Sequence, residues 1–240
     1  MTGVVLVTAS RRDAAATALA ARDGAVVRLV TPDDLSQEGW RFRLSDPAGG
    51  MASVGGSALS AADIAGVVTR LPAVTAHDLP HIADDDRDYV AVEMNAFLLA
   101  WLTSLPCPVV NRPTPRCLAG PHWRQEQWVL AAERLGIPAR PLVRRTNEES
   151  PTPVAAPPHV VTVVGREHFG AEHEELAERA HALADAAGAD LLSVGFDGPR
   201  RDARFVNASL WLDLGDAAIG DAVIALVRSK GRPGKAEPAS

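Results

Sequence analysis

Short runs of apolar, often β-branched residues separate helical segments in the first part of the chain. Such runs occupy residues 4–8, 25–30 and 66–69, and an alanine-rich helix is predicted at 13–22, closed by Gly24. A continuous apolar run is typical of a strand buried on both faces. The strand–helix–strand order therefore predicts an α/β fold that opens with a parallel sheet.

The pattern continues with the longest predicted helix, at residues 84–105, whose first turn carries three aspartates favoured by the helix dipole. Pro106 ends this helix, and a strand at 108–111 follows. A further helix is predicted at 123–135 and ends at Gly136, because glycine readily adopts the left-handed conformation of a helix C-terminus.

A segment rich in Pro, Thr, Glu and Ser, residues 144–158, is predicted to be a linker. After it the periodic pattern restarts. The predicted elements are a strand at 159–164, a helix at 172–187, strands at 191–196 and 204–210 joined by a charged turn, and a helix at 219–228.

Residues 40–44 alternate apolar and basic side chains, and residues 51–54 form a second short strand pattern. The pair predicts an exposed hairpin. The glycine-rich stretch 49–57 matches neither the dinucleotide nor the P-loop spacing, so a hairpin turn is favoured over a phosphate cradle. Because Trp is favoured at interfaces, Trp40, Phe42 and Trp123 form a candidate partner surface, although Trp123 also suits a core position.

The composition narrows the classes of function. The 240 residues are 47% hydrophobic and carry a formal net charge of -6, which argues against a nucleic-acid or membrane surface. No apolar segment is long enough to span a bilayer, and the N-terminus resembles a first strand more than a signal peptide. A cytoplasmic location is expected. The lysines are Lys230 and Lys235, both in the C-terminal tail.

Isolated reactive residues identify no site. Cys107 and Cys117 have no local histidine or acid arrangement typical of a catalytic cysteine, and two reduced thiols are expected. His77 and His81 are separated by Pro80, which prevents the helix that would bring two metal ligands together.

The order of the segments carries more information than any single motif, and it resembles the ATP-grasp ligases, in the style of the graspetide (microviridin-type) macrocyclases. Four stretches carry the resemblance: a strand ending in arginine at 67–72, a long helix containing Glu93 followed by strand–Asn–x–Pro at 108–113, a helix ending in Gly-Ile-Pro at 125–138, and a hairpin at 191–214. They cover residues 1–141 and 159–228 in the order of the family.

The resemblance implies a domain organisation. Residues 1–118 would form a pre-ATP-grasp-like parallel-sheet domain and residues 119–143 a connecting helix. After the linker, residues 159–228 would form a truncated α+β ATP-grasp C-terminal lobe, and residues 229–240 a disordered tail. The resemblance further implies that the family's central nucleotide-covering lobe is deleted.

The resemblance also places the family's ligand positions on residues that suit them poorly. Gln125, beside Arg124, stands where the family has a nucleotide-facing lysine. Gly195, Asn207 and Ser209 stand at the metal-binding positions. Phosphoryl transfer needs positive charge and bridging magnesium, and magnesium prefers anionic oxygens.

The sequence therefore predicts a non-catalytic pseudo-ligase that needs neither ATP nor magnesium. It would act as a binding or accessory subunit in peptide or natural-product tailoring. Its expected partners are a protein, a peptide substrate or a second copy of itself.

Two alternatives remain open. A minimal ATP-dependent carboxylate–amine ligase would use arginines for phosphates and aspartates for metal: Arg124, Arg144, Arg145, Asp197, Asp202 and Asp213. A small-molecule carboxylate binder would use Arg70, Asn111 and Arg112 at the carboxyl ends of strands, unless both arginines pair with neighbouring acids.

Overall fold

The chain is described by a computed structural model that covers residues 3–142 and 156–230. It divides into two compact units: residues up to Gly120 together with those from Asp213 onward, and Pro121–Leu212. Most of the predicted linker lies outside the described residues, and so does the tail from residue 231.

The strands are β1 (Val4–Thr8), β2 (Val27–Val30), β3 (Met51–Val54), β4 (Ser57–Ser60), β5 (Ile64–Thr69), β6 (Val109–Val110), β7 (His159–Val164), β8 (Glu167–Phe169), β9 (Leu191–Phe196) and β10 (Phe205–Ser209). The helices are α1 (Ala14–Arg22), α2 (Pro32–Leu35), α3 (Arg87–Ser104), α4 (Gln125–Arg134), α5 (Glu174–Ala187) and α6 (Ala217–Lys230). Helices and strands thus alternate through most of the chain, and the predicted α/β class is confirmed.

The first unit is built on a parallel sheet with the strand order β2-β1-β5-β6. Its strands bury apolar side chains, with Leu6 and Val67 fully inaccessible to solvent. Helix α3 covers this core through Leu98, Trp101 and Leu102, each 1% exposed. The parallel sheet predicted from the apolar runs is therefore confirmed.

Helix α6 belongs to this first unit. A Cβ atom placed on Gly66 of β5 would collide with the Val227 side chain, so the helix and strand approach closely. Arg22 of α1 also donates a 2.8 Å hydrogen bond to Asp221 of α6. The resemblance predicts that this helix belongs to a C-terminal lobe. The structure groups it with residues 1–120, because its apolar face is buried on β5.

The second unit contains an antiparallel sheet with the order β10-β9-β7-β8. Helix α5 buries Leu176, Ala180 and Leu183 in the core that includes Val161 and Val194. Helix α4, predicted as a connecting helix, contributes its buried Trp128 and Ala132 to that same core. The predicted pairing of 191–196 with 204–210 is confirmed.

The prediction that residues 40–44 form the first strand of a hairpin is wrong. The hairpin joins β3 to β4, and Gly55 and Gly56 at its turn have φ values of 57° and 74°. Glycine adopts such values without a steric penalty, as tight hairpin turns require. Residues 40–44 contribute only the isolated antiparallel bridge between Arg41 and Met51.

Within residues 3–142 and 156–230, no helix combines the length and the apolar character that crossing a bilayer requires.

Candidate functional site

Gln125 occupies the first position of α4, where the resemblance places a nucleotide-facing lysine. Its side-chain amide donates a 2.5 Å hydrogen bond to the backbone carbonyl of Val206 in β10. The side chain is therefore engaged in joining a helix to a strand. It also carries no positive charge that a phosphate could use.

Arg124 immediately precedes this helix and is exposed. Its backbone N–H donates a 3.0 Å hydrogen bond to the side chain of Gln127, which caps the first turn. Among the described residues its guanidinium forms no ion pair. Arg124 thus places one exposed guanidinium next to Gln125, where the resemblance expects a lysine.

Gly195, where the resemblance places a metal-binding aspartate, lies buried in β9. A Cβ atom built there would collide with the Asn207 side-chain oxygen and approach Pro157 Cβ to 2.7 Å. Such short distances are not found for real Cβ atoms, so something would have to move. The local packing therefore leaves no room for a carboxylate on this residue.

Asn207 and Ser209, where the resemblance places the other two metal ligands, both lie half-buried on β10. Side chains two residues apart point to one face of a strand. Ser209 is paired with Ser193 of β9, and Ser193 is paired with Thr162 of β7.

The pairing produces a row of neutral polar groups on the face of the sheet opposite the α5 core, because Val161 and Val163 on the two sides of Thr162 lie in that core. Thr162 Oγ1 and Ser193 Oγ are 3.3 Å apart and share a hydrogen bond. Neutral amide and hydroxyl oxygens are weak substitutes for carboxylates as magnesium ligands. None of these side chains therefore supplies an anionic oxygen to a magnesium ion.

The aspartates proposed for a rebuilt metal site have other partners. Asp197 accepts two 2.8 Å hydrogen bonds from Arg204, one from its backbone N–H and one from its Nε. Partial burial would raise the pKa of Asp197, but these hydrogen bonds and the Arg204 charge outweigh it and lower the pKa below 3.8.

Asp202 lies 3.2 Å from Arg200, and Asp213, in the first unit, accepts a hydrogen bond from Gly215. Within the described ranges, no three His, Cys, Asp or Glu side chains gather closely enough to hold a metal ion.

The histidines His77 and His81 likewise belong to no such group. His81 Nε2 instead lies 2.7 Å from Ser36 Oγ, with which it shares a hydrogen bond. Arg144 and Arg145 lie outside the described residues.

The predicted carboxylate cleft contains a buried ion pair. Arg70 Nε and Nη2 donate hydrogen bonds of 2.7 and 3.1 Å to the carboxylate of Asp13, the N-cap residue of α1. The two side chains are only 7% and 11% exposed. Burial alone would raise the pKa of Asp13, but the hydrogen bonds and charge of Arg70 and the Ala16 N–H lower it below 3.8.

The other two residues of that predicted cleft differ in their exposure to solvent. Asn111 is 1% exposed, and its backbone carbonyl accepts a 2.5 Å hydrogen bond from Thr69. Arg112 is exposed at the surface. Arg70 thus pairs with an acid of the same chain, which is the alternative that the sequence left open. Arg112 forms no ion pair within the described residues.

The two cysteines are free thiols, with Cys107 half-buried and Cys117 buried. Burial raises the pKa of Cys107 to about 11, which keeps the thiol protonated at neutral pH. Because the thiolate is the nucleophilic form, Cys107 is a poor candidate for covalent catalysis.

The predicted partner surface is partly buried. Trp40 packs edge-on against Phe97 and Trp101, with ring centroids 5.4 and 5.2 Å apart. Trp123 lies half-buried in the second unit, 4.7 Å from the ring of Trp128. These aromatic rings therefore stabilise the cores of the two units, contrary to an assignment as freely exposed anchors.

The candidate surface predicted from the sequence did not include Arg41 and Arg43, which are exposed next to Trp40 and Phe42. Arg41 and Arg43 border a cavity of about 400 Å³ in the first unit. The alternation of apolar and basic residues from Trp40 to Arg43 was the available signal, because it places arginines on the face opposite the aromatics.

No protein-family model matches the sequence, and no curated protein matches it. Solved structures match the fold. The macrocyclase MdnC from Microcystis aeruginosa MRC, bound to the precursor peptide MdnA, is 12% identical with a TM-score of 0.62, and the match covers 94% of this chain and 99% of MdnC.

Two further solved structures give the same result. A RiPP-associated ATP-grasp ligase from Chryseobacterium gregarium, in complex with ADP and a leader and core peptide, is 10% identical with a TM-score of 0.62, covering 96% of this chain and 98% of that one. The ATP-grasp ligase PsnB, complexed with precursor peptide PsnA2 and AMPPNP, is 13% identical with a TM-score of 0.61, covering 95% and 98%. The chain therefore has the fold of the ATP-grasp ligases associated with RiPPs, as the order of its sequence segments predicted.

Proposed function

We propose that this protein is a non-catalytic ATP-grasp-like protein that acts as a binding or accessory subunit in peptide tailoring. One observation carries the proposal: where the resemblance expects a lysine and metal-binding carboxylates, the chain has Gln125 bonded to Val206, a Gly195 without space for a side chain, and neutral Asn207 and Ser209.

The physical reason is the charge that phosphoryl transfer develops. Catalysis depends on cations held over the phosphate oxygens and on magnesium bridging them. Removal of one such stabilising group costs about 2.7–4 kcal/mol in other enzymes, and here several are replaced together. The row of Thr162, Ser193 and Ser209 offers hydrogen bonds but no anionic ligand.

The proposed partner is a peptide or a peptide-modifying enzyme. MdnC, the Chryseobacterium gregarium ligase and PsnB were each solved with a precursor or leader peptide bound. A protein that keeps their fold without their nucleotide ligands is suited to presenting or binding a peptide while a second protein carries out the chemistry. On this proposal neither ATP nor magnesium is a cofactor of this chain.

Calorimetric titration of the full chain with magnesium and AMPPNP tests the proposal. We expect no binding heat at ligand concentrations up to about 1 mM, which corresponds to less than about 4 kcal/mol of binding free energy. A stoichiometric complex with a micromolar dissociation constant would refute it. A competent ATP-grasp ligase in the same buffer serves as the positive control.

A turnover assay separates the pseudo-ligase from the minimal ligase. The chain, mixed with magnesium, ATP and an acidic peptide, is expected to release no phosphate above a protein-free blank. Phosphate release that disappears in Asp213→Ala but persists in Asp216→Ala would establish the rebuilt-site ligase instead.

A further inference from the structure

Residues 40–44, which we call the arginine edge, are held rigidly from one side. The Trp40 and Phe42 rings pack edge-on against Phe97, with centroids 5.4 and 6.2 Å away. Trp40 Nε1 also donates a 2.7 Å hydrogen bond to the backbone carbonyl of Asp34. Aromatic packing of this kind fixes the position of the segment and leaves its other face to solvent.

Arg41 and Arg43 project from that free face. Both side chains are exposed, and neither forms an ion pair or a side-chain hydrogen bond with any residue in 3–142 or 156–230. They border the cavity of about 400 Å³, together with Asp46, Gly49 and Gly50. The Asp46 carboxylate accepts a 3.0 Å hydrogen bond from the Gly49 N–H, so it serves the local turn.

The backbone of the arginine edge is paired on one side only. Arg41 exchanges two hydrogen bonds with Met51, of 2.9 and 2.8 Å, which fixes an antiparallel pairing. Adjacent residues of an extended chain direct their backbone groups to opposite sides. The N–H and carbonyl of Phe42 accordingly have no hydrogen-bond partner within the described residues, so they are available to pair with an added chain.

We propose that the arginine edge binds an extended acidic peptide segment, which adds a strand at Phe42 and places carboxylates on Arg41 and Arg43. This proposal deepens the proposed function and rests on it, because it assigns the peptide a place and a chemistry. Backbone pairing at an exposed edge is an established mode of peptide recognition. Side chains at alternate positions of both strands share one face, so carboxylates two residues apart match the two arginines.

The charge and shape of the surface favour this occupant. Guanidinium groups bind carboxylates through paired, charge-assisted hydrogen bonds. Leu44, 77% exposed at the end of the segment, offers an apolar contact to a neighbouring side chain of the peptide. A nucleic acid fits less well, because the whole chain carries a net charge of -6 and the cavity itself contains Asp46.

Fluorescence anisotropy with the full chain tests the proposal. The probe is a labelled hexapeptide that alternates glutamate with valine, and its matched control replaces each glutamate with glutamine. We expect the acidic peptide to bind at least about tenfold more tightly than its control, because a guanidinium forms charge-assisted hydrogen bonds with a carboxylate but not with a neutral amide.

Paired variants locate the site. Arg41→Gln/Arg43→Gln is expected to weaken binding of the acidic peptide at least about tenfold. Arg12→Gln/Arg28→Gln removes the same charge from exposed arginines elsewhere in the first unit, and it should bind like the wild type. Because all four side chains are exposed, circular dichroism should show that both variants are folded. Equal binding by the two double variants would overturn the proposal.

Hydrogen exchange supplies a second, independent readout. Bound peptide should slow exchange of the Phe42 amide and leave the already bonded Arg41 amide little changed. Unchanged exchange at Phe42, equal affinity for the glutamine peptide, or tighter binding of a single-stranded oligonucleotide would each overturn the proposal. These measurements use no nucleotide, so an ATP complex would refute the proposed function without altering them.

Discussion

Gln125 and Val206, 81 positions apart in sequence, are joined by a 2.5 Å hydrogen bond from a side-chain amide to a backbone carbonyl. The bond attaches the first turn of α4 to β10. A residue at a position expected to bind nucleotide thus has a role in the stability of the second unit.

Replacement of Gln125 with alanine should lower the free energy of unfolding by about 1 kcal/mol, because the Val206 carbonyl loses its partner. Chemical denaturation with the two units followed separately would measure this loss. Glu133→Ala, an exposed change in the same helix, is the control and should stay within about 0.5 kcal/mol of the wild type. Equal stability of the two variants would contradict the structural role of Gln125.

Restoring the aspartate that the resemblance expects should harm this protein. Gly195→Asp forces atoms against Asn207 and Pro157, and overpacking of this kind costs about 1–3 kcal/mol. Thermal unfolding measures the effect. Gly198→Asp, in the nearby turn where a Cβ meets no atom within 4 Å, should be tolerated. A fully stable Gly195→Asp protein would show that the site can open.

The Asp13–Arg70 pair should stabilise the first unit strongly. Asp13→Asn keeps a side chain able to cap α1 but removes the charge beside a buried guanidinium, and loss of one buried partner costs about 3–5 kcal/mol. Urea denaturation at pH 7 is the measurement. Asp23→Asn, next to the half-exposed Arg22, is the control and should cost less than about 1 kcal/mol.

The same ion pair predicts a dependence on acid. The pKa of Asp13 is lowered in the folded protein, so its contribution is complete above the unfolded value of 3.8 and is lost as the pH falls through the lower folded value. Stability measured from pH 6 to pH 2 should therefore converge for wild type and Asp13→Asn at the acid end. A constant difference across that range would contradict the assignment.

Cys107 should resist alkylation. Its pKa of about 11 keeps the thiol protonated, so iodoacetamide should modify native Cys117→Ala protein slowly at pH 8 and faster as the pH approaches 11. Urea-unfolded protein, with an ordinary thiol, provides the reference rate. Equal rates for native and unfolded protein at pH 8 would be inconsistent with the buried thiol.

The sequence predicted features that depend on local pattern. The apolar runs at 4–8 and 66–69 indicated paired parallel strands, and the pattern at 191–210 indicated an antiparallel pair. Burial on one or both faces of a strand imposes a residue pattern that can be read directly.

Features that depend on distant partners could not be predicted in this way. The acceptor of Gln125 is a backbone carbonyl, which every residue carries, so no residue type marks Val206 as its partner. The apolar pattern of α6 identified a helix, but the pattern does not say which sheet it covers. The short strand β8 was missed, since three residues are too few to show a period.

The core of the first unit can be completed only after the second unit has been synthesised, because helix α6 follows the second unit in the sequence. The chain leaves the first unit at Gly120, forms the second, and returns at Asp213. During synthesis the face of β5 around Gly66 stays uncovered until Val223 and Val227 have been made. These two residues follow the whole second unit in the sequence. A chain that ended at residue 212 would lack this cover, so its first unit would expose apolar surface of the kind that promotes aggregation.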